Sequence, residues 1–239
     1  MESIEIGLKQ LKLSGMSRIW QSLSETRRLH ELSFTDGMQL LLQGEADQRS
    51  NRRFDRLLQN ARFRYRASIA ELGYDAARGL DKAIVSDLST CRWIEKGESL
   101  LICGPTGVGK STLATALGTQ ACAMGFSVMY FNTQKLIART KTERLEGTIL
   151  KFFDKVAKCK LLIIDDFGLT HLQGQQQLDM LEIIEDRHGK ASTIVASQLP
   201  VSSWYEVFAD ETVADALLDR LVHSSYKIHL KGESLRKKL

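Results

Sequence analysis

Ser99-Leu100-Leu101-Ile102-Cys103, followed directly by Gly104-Pro105-Thr106-Gly107-Val108-Gly109-Lys110-Ser111, is the stretch whose reading decides the fold. The first five residues read as a strand. The next eight fill the pattern G-x-x-x-x-G-K-[ST], and the run from Lys110 through Leu113, Ala114, Ala116, Leu117 and Ala121 to Met124 reads as a helix. Glycine at three positions lets the backbone wrap an anion with its N–H groups pointing inward, at a helix N-terminus whose dipole favours negative charge. Lys110 adds a point charge, and Ser111 offers a hydroxyl to a Mg²⁺ ion between the β- and γ-phosphates. The expected nucleotide-binding set is Gly104, Pro105, Thr106, Gly107, Val108, Gly109, Lys110, Ser111 and Thr112, with ATP and Mg²⁺ as cofactors.

A second element turns binding toward hydrolysis. Leu161-Leu162-Ile163-Ile164-Asp165-Asp166 is an apolar run closed by two carboxylates, the signature of a strand buried on both faces of a parallel sheet. Acids at the C-terminal end of such a strand emerge at the crevice where these sheets bind ligands. Asp165 is expected to hold Mg²⁺ through a water, and Asp166 to orient or deprotonate the attacking water. Further strand signals at 126–132, 191–198 and 226–230 alternate with helical runs at 133–157, with Gly147 as a candidate break, at 174–187 and at 211–222. Five strands interleaved with helices imply right-handed crossovers, hence an α/β fold with a five-stranded parallel sheet flanked by helices.

At 239 residues the chain has room for this core and an accessory module. No apolar run approaches the roughly 18 residues of a membrane span, and Met1-Glu2-Ser3-Ile4-Glu5 lacks the basic start and apolar centre of a signal peptide. A cytoplasmic protein with no membrane partner is expected. Cys91, Cys103, Cys122 and Cys159 form no C-x-x-C pair, so neither a disulfide framework nor a metal site is indicated.

The composition shifts near residue 85. Upstream, the chain reads as helices separated by breaks at Gly15, Asp36-Gly37, Gly73 and Gly79, which gives an all-helical N-terminal domain over 1–85 and an ATPase domain over 86–239. Between residues 44 and 66 lie Arg49, Arg52, Arg53, Arg56, Arg62, Arg64 and Arg66, against only Glu45, Asp47 and Asp55. The first four fall at i, i+3, i+4 and i+7 and stack on one helix face, while Phe54, Leu57, Leu58 and Ala61 form another stripe. After Asn60, arginines alternate with Phe63 and Tyr65, which reads as an extended basic arm. Arginine favours bidentate phosphate contact, so these seven residues are the candidate DNA-binding set, sequence-tolerant and salt-dependent. A second basic cluster spans Lys227 to Lys238.

The phosphate loop, the 161–166 strand followed by Phe167-Gly168, Ser192-Thr193-Ile194-Val195-Ala196-Ser197-Gln198-Leu199-Pro200-Val201, Leu218-Asp219-Arg220-Leu221, and Leu230-Lys231-Gly232-Glu233-Ser234-Leu235-Arg236 together resemble the IstB family. These are ATP-binding helpers of insertion-sequence transposases, in the AAA+ superfamily and similar to DnaC-type helicase loaders. The resemblance implies ATP at subunit interfaces of a homo-oligomer, with Arg220 as an arginine finger reaching a neighbour's γ-phosphate and Gln198 positioning the lytic water, so that the catalytic set is Lys110, Asp166, Gln198 and Arg220. It also implies double-stranded DNA and a transposase subunit as partners. Two departures stand out, Gln198 where many relatives carry Asn and Asp166 in place of the commoner Glu. No separate C-terminal lid is expected, and Arg236 is a candidate for nucleotide or subunit contact. The implied function is an ATP-dependent DNA-binding ATPase that assembles on target DNA and stimulates a transposase; a replicative helicase loader is the alternative.

Overall fold

The computed structural model describes residues 2–26, 30–74, 78–223 and 225–235. The chain divides into two compact units, Met1–Arg56 and Leu57–Leu239.

In the first unit, α1 (Glu2–Gln10) and α2 (Ser14–Glu25) precede the long helix α3 (Phe34–Ala61), which continues into the second unit. Ser33 starts α3: its hydroxyl accepts the Asp36 N–H at 3.2 Å and donates to the Asp36 carboxylate at 2.6 Å, a reciprocal cap. The helices are separated near Gly15 and Asp36-Gly37 as expected, but each separation falls just before the glycine, which sits inside the following helix. Gly37 lies in the first turn of α3, and Gly15 lies in the first turn of α2. A Cβ on Gly15 would come within 2.3 Å of the Gly44 carbonyl oxygen, so this glycine serves a close helix–helix approach rather than a stop. The buried Glu45 carboxylate then receives the Gly15 and Met16 N–H groups at 2.8 and 3.3 Å and the Arg49 guanidinium at 2.8 Å. An acid from α3 thus caps the positive end of α2.

The second unit carries the sheet. After α4 (Lys82–Ser89) and α5 (Arg92–Glu95) come β1 (Ser99–Cys103), α6 (Lys110–Ala123), β2 (Val128–Asn132), α7 (Thr133–Leu145), α8 (Ile149–Lys158), β3 (Leu161–Phe167), α9 (Gln175–Arg187), β4 (Ser192–Ser197), α10 (Glu211–Val222) and β5 (Ser225–His229). All neighbours pair in parallel, in the order β2-β3-β4-β1-β5. The α/β fold with a five-stranded parallel sheet is as the residue pattern implied. Alternation along the strands divides the core: Leu101, Leu162, Ile164 and Val195 pack with Leu136, Phe152, Ile183 and Leu217 from α7, α8, α9 and α10. Ile163, on the other face, meets α6 at Gly118. The helical stretch at 133–157 is broken at Gly147, whose φ of 68° lets the chain turn from α7 into α8. Among the described residues no helix is long and apolar enough to cross a membrane.

Candidate functional site: a phosphate cradle facing an acid pair

Every strand end that faces the site is a C-terminal end, because parallel strands present their ends together. From β1 the chain enters the loop with Gly104 at φ 151°, Gly107 at 83° and Gly109 at 101°, the last standing at the N-cap of α6. These conformations suit residues without a Cβ. Space demands glycine too, since a Cβ on Gly104 would reach within 2.2 Å of the Leu230 carbonyl oxygen. Lys110 is buried and its Nζ donates to the carbonyls of Gly104 and Pro105, each at 2.7 Å. The ammonium is thereby held over the loop it must serve.

Opposite the loop, β3 delivers the acids. A register shift between Ile164 and Phe167 bends the strand end, and Asp166 takes a left-handed φ of 56°, so the two neighbouring carboxylates are aimed differently. Asp165 is buried: its Oδ2 accepts the Tyr130 hydroxyl at 2.5 Å and its Oδ1 accepts the Asp166 N–H at 2.9 Å. Burial and the adjacent Asp165 carboxylate push the Tyr130 hydroxyl far above its usual range, so it stays a proton donor. Asp166 Oδ2 accepts the Asn132 side-chain amide at 2.7 Å. From β4, Gln198 Oε1 accepts the Thr106 hydroxyl at 2.7 Å, tying the neighbouring strand end to the loop.

Thr106, Gly107, Gly109, Lys110, Ser111 and Thr112 face Asp166 and Gln198 across one cavity of about 420 Å³, whereas the buried Asp165 does not line it. Of the predicted nucleotide and catalytic residues the structure brings these to one place. Beside it lies a mainly apolar slot of about 100 Å³, lined by Leu72, Leu80, Val108, Leu113, Leu230 and Leu235 together with Glu71, Arg78 and Thr112. The segment after β5 clasps the loop: the Leu235 N–H donates to the Gly107 carbonyl at 2.9 Å, and a Cβ on Gly107 would collide with Ser234. Arg78 braces both, reaching the Val108 and Glu233 carbonyls at 3.4 Å.

Arg220 stands apart from this cavity. It is paired with Glu185 on α9 and donates to the Ala216 carbonyl at 2.7 Å. Of the seven candidate DNA-binding arginines, Arg49, Arg52, Arg53 and Arg56 are exposed on α3, with Arg49 bonded to Glu45. Arg62 (φ 55°) ends that helix, and Arg66 is exposed. Arg64 is placed elsewhere, on the wall of the phosphate cavity with Tyr65. Arg236 and the basic residues after it lie outside the described residues. Asn132, Tyr130, Arg78 and Leu235 were missed by sequence reasoning. Only Asn132 carried a signal: it is the polar residue closing β2, level with Asp165 in the strand register.

A glycine loop at a helix N-terminus, a buried lysine, and an acid pair on a parallel sheet of order 2-3-4-1-5 define a phosphate-loop nucleotide-binding protein. Residues 6–239 match the family described as IstB-like ATP binding protein. The putative insertion sequence ATP-binding protein y4pL of Sinorhizobium fredii is 41% identical over 230 residues, covering 96% of this chain and 94% of that protein. The insertion sequence IS21 putative ATP-binding protein of Pseudomonas aeruginosa is 30% identical over 238 residues, covering 100% of this chain and 90% of that protein. Among solved structures, the AMPPCP-bound DnaA from Aquifex aeolicus superposes with a TM-score of 0.60 at 18% identity, over 73% of this chain and 53% of that one. The DnaC helicase loader superposes with a TM-score of 0.53 at 24% identity, over 73% of this chain and 98% of that one. The chain belongs to the IstB-like family of insertion-sequence ATP-binding proteins.

Proposed function

We propose that this protein hydrolyses ATP to control its assembly on double-stranded DNA, where it presents the target to a transposase and stimulates it. The observation that carries the ATPase reading is the cavity in which Lys110, Ser111, Asp166 and Gln198 converge. The loop N–H groups and Lys110 bind the phosphates, and the apolar slot beside Val108 takes the base. The donor set fits Mg²⁺ held chiefly by phosphate and water: Ser111 supplies a hydroxyl, and both Asp165 oxygens already accept one hydrogen bond, which suits contact through water. When bound, the ion neutralises charge on the β- and γ-phosphates. Asp166, oriented by Asn132, takes the proton of the attacking water, and Gln198 fixes that water's position.

Subunits meet across the nucleotide, with Arg220 released from Glu185 onto a neighbour's γ-phosphate. That exchange costs little, because a partly exposed ion pair contributes about 0–1 kcal/mol. The exposed Arg49, Arg52, Arg53 and Arg56 face on α3 contacts the DNA backbone. The helicase-loader reading rests on fold likeness at low identity, as in the DnaC superposition at 24%, whereas the insertion-sequence relatives span nearly the whole chain.

Lys110→Ala is expected to lose ATP-dependent oligomers and DNA complexes together, as read by light scattering and fluorescence anisotropy. Asp166→Asn is expected to bind ATP normally and to lose turnover. DNA complexes that persist in Lys110→Ala without nucleotide contradict the coupling, and unchanged hydrolysis in Asp166→Asn removes Asp166 from its role.

A further inference from the structure

Arg64 sits in a place that its sequence context does not announce. Helix α3 stops at Ala61, Arg62 turns the chain with a φ of 55°, and the next residues run onto the ATPase core. Phe63 is the anchor. Its ring stands edge-on to Tyr130 with centroids 6.1 Å apart, and it lies so close to α6 that a Cβ on Gly118 would come within 2.8 Å of it. Tyr130 in turn holds Asp165. The next residue, Arg64, puts its Nη1 3.7 Å from Asp166 Oδ2 and its guanidinium 5.2 Å from the Tyr65 ring centre. One short segment therefore touches the surroundings of both acids.

The pair with Asp166 is electrostatic rather than hydrogen-bonded, because 3.7 Å exceeds the reach of an N–H···O bond. The Arg64 side chain is 55% exposed, so it retains freedom to swing. It also lines the same cavity as Lys110, Ser111 and Thr106. A terminal phosphate there carries more charge than one carboxylate and offers three oxygens to a planar fork of donors.

We propose that Arg64 is a sensor of the terminal phosphate acting within its own subunit: it restrains Asp166 until a nucleoside triphosphate is seated, then transfers its guanidinium to the γ-phosphate and releases the carboxylate. This rests on the ATPase reading above and adds to it a residue that distinguishes ATP from ADP. Arg64 positions Asp166 in the first condition and binds substrate in the second. A nucleoside diphosphate lacks the group that draws Arg64 away, so Asp166 stays restrained after product forms.

The test compares the full chain with Arg64→Gln, Arg64→Lys and, as a control for lost surface charge, Arg92→Gln. Binding of a non-hydrolysable ATP analogue and of ADP, each with Mg²⁺, is measured by fluorescence titration. Loss of one charge-assisted contact predicts that Arg64→Gln binds the triphosphate about tenfold more weakly while ADP affinity is unchanged. Arg64→Lys is expected to recover part of the difference, and Arg92→Gln to keep the wild-type ratio. An unchanged triphosphate-to-diphosphate ratio in Arg64→Gln overturns the proposal, as does equal weakening of both ligands, which marks a merely structural role. Weaker DNA binding with an intact nucleotide ratio also overturns it and returns Arg64 to the DNA-contact set. A wild-type chain that binds neither nucleotide overturns the ATPase reading itself, an outcome distinguishable from the others.

Discussion

Gly118→Ala sets two opposed effects of known size against each other. Gly118 lies inside α6, where alanine is favoured over glycine by about 1 kcal/mol because it restricts the unfolded chain and suits the helix. Judged by propensity alone the variant is stabilised. The structure reverses the sign: the new methyl would stand 2.8 Å from Ile163 Cδ1 and 2.8 Å from Phe63 Cε1 and Cζ. These are side-chain atoms, so they shift rather than block folding, at an overpacking cost of about 2 kcal/mol. The net expectation is a loss of about 1 kcal/mol, read as a lower urea midpoint at constant slope. Since Ile163 is fixed in the buried β3 and Phe63 belongs to a turn, Phe63 should yield. Arg64 then moves with it, and the variant should show the same reduced preference for triphosphate over diphosphate as Arg64→Gln. Shortening the ring in Phe63→Leu should relieve the strain, so the double variant should recover about 1 kcal/mol relative to the sum of the single changes. A Gly118→Ala protein that gains the full propensity benefit would refute the seating of Phe63 on α6, and with it the route by which Arg64 reaches Asp166.

Two further predictions concern stability. Arg187, at the end of α9, is buried and donates to the carbonyls of Val156, Cys159 and Ser192 and to the Thr193 hydroxyl; burial lowers its pKa to about 10, so it remains charged at neutral pH. Arg187→Met removes all four of those bonds, leaving the Val156 carbonyl only the Cys159 N–H, and should cost about 4 kcal/mol in urea unfolding; a loss under about 1 kcal/mol would show that this network adds nothing to the fold. In the N-terminal unit, burial alone would raise the Glu45 pKa, but the Arg49 hydrogen bond and the Gly15 and Met16 amides outweigh it and hold it below the usual carboxylate range. A carboxyl whose folded pKa is depressed stabilises above its unfolded pKa and loses that contribution as pH falls through the folded value. The stability difference between wild type and Glu45→Gln should thus be constant above about pH 5 and shrink below the unfolded carboxyl value of about 4.3. A difference that stays flat through pH 3 would remove Glu45 from the cap of α2.

Much of the site was legible before any coordinates. The glycine spacing of the loop specifies local backbone, and the loop's placement between an apolar strand and a helix specifies what surrounds it. Asp165 and Asp166 were legible for a similar reason, because acids at the end of a doubly buried strand can emerge only where the sheet binds ligands. The helix separations near Gly15 and Asp36-Gly37 were legible to within a few residues, but the packing role of Gly15 was not, because a glycine that ends a helix and one that lets two helices touch look alike along the chain. Arg64 sat in a run of arginines, and nothing local separates a solvated guanidinium from one brought beside Asp166.

By itself the sequence determined the strand-loop-helix unit, the doubly buried strands and hence the parallel sheet, since backbone preference and burial pattern act over a few residues. Only the tertiary structure decided which distant side chains share the cavity. Asn132 on Asp166, Tyr130 on Asp165, Gln198 on Thr106 and Arg64 on the cavity wall depend on strand order and on Phe63 lodging at Gly118. Those contacts join residues from 34 (Asn132 and Asp166) to 102 (Arg64 and Asp166) positions apart, and their energies come from close packing in three dimensions, which no one-dimensional period encodes.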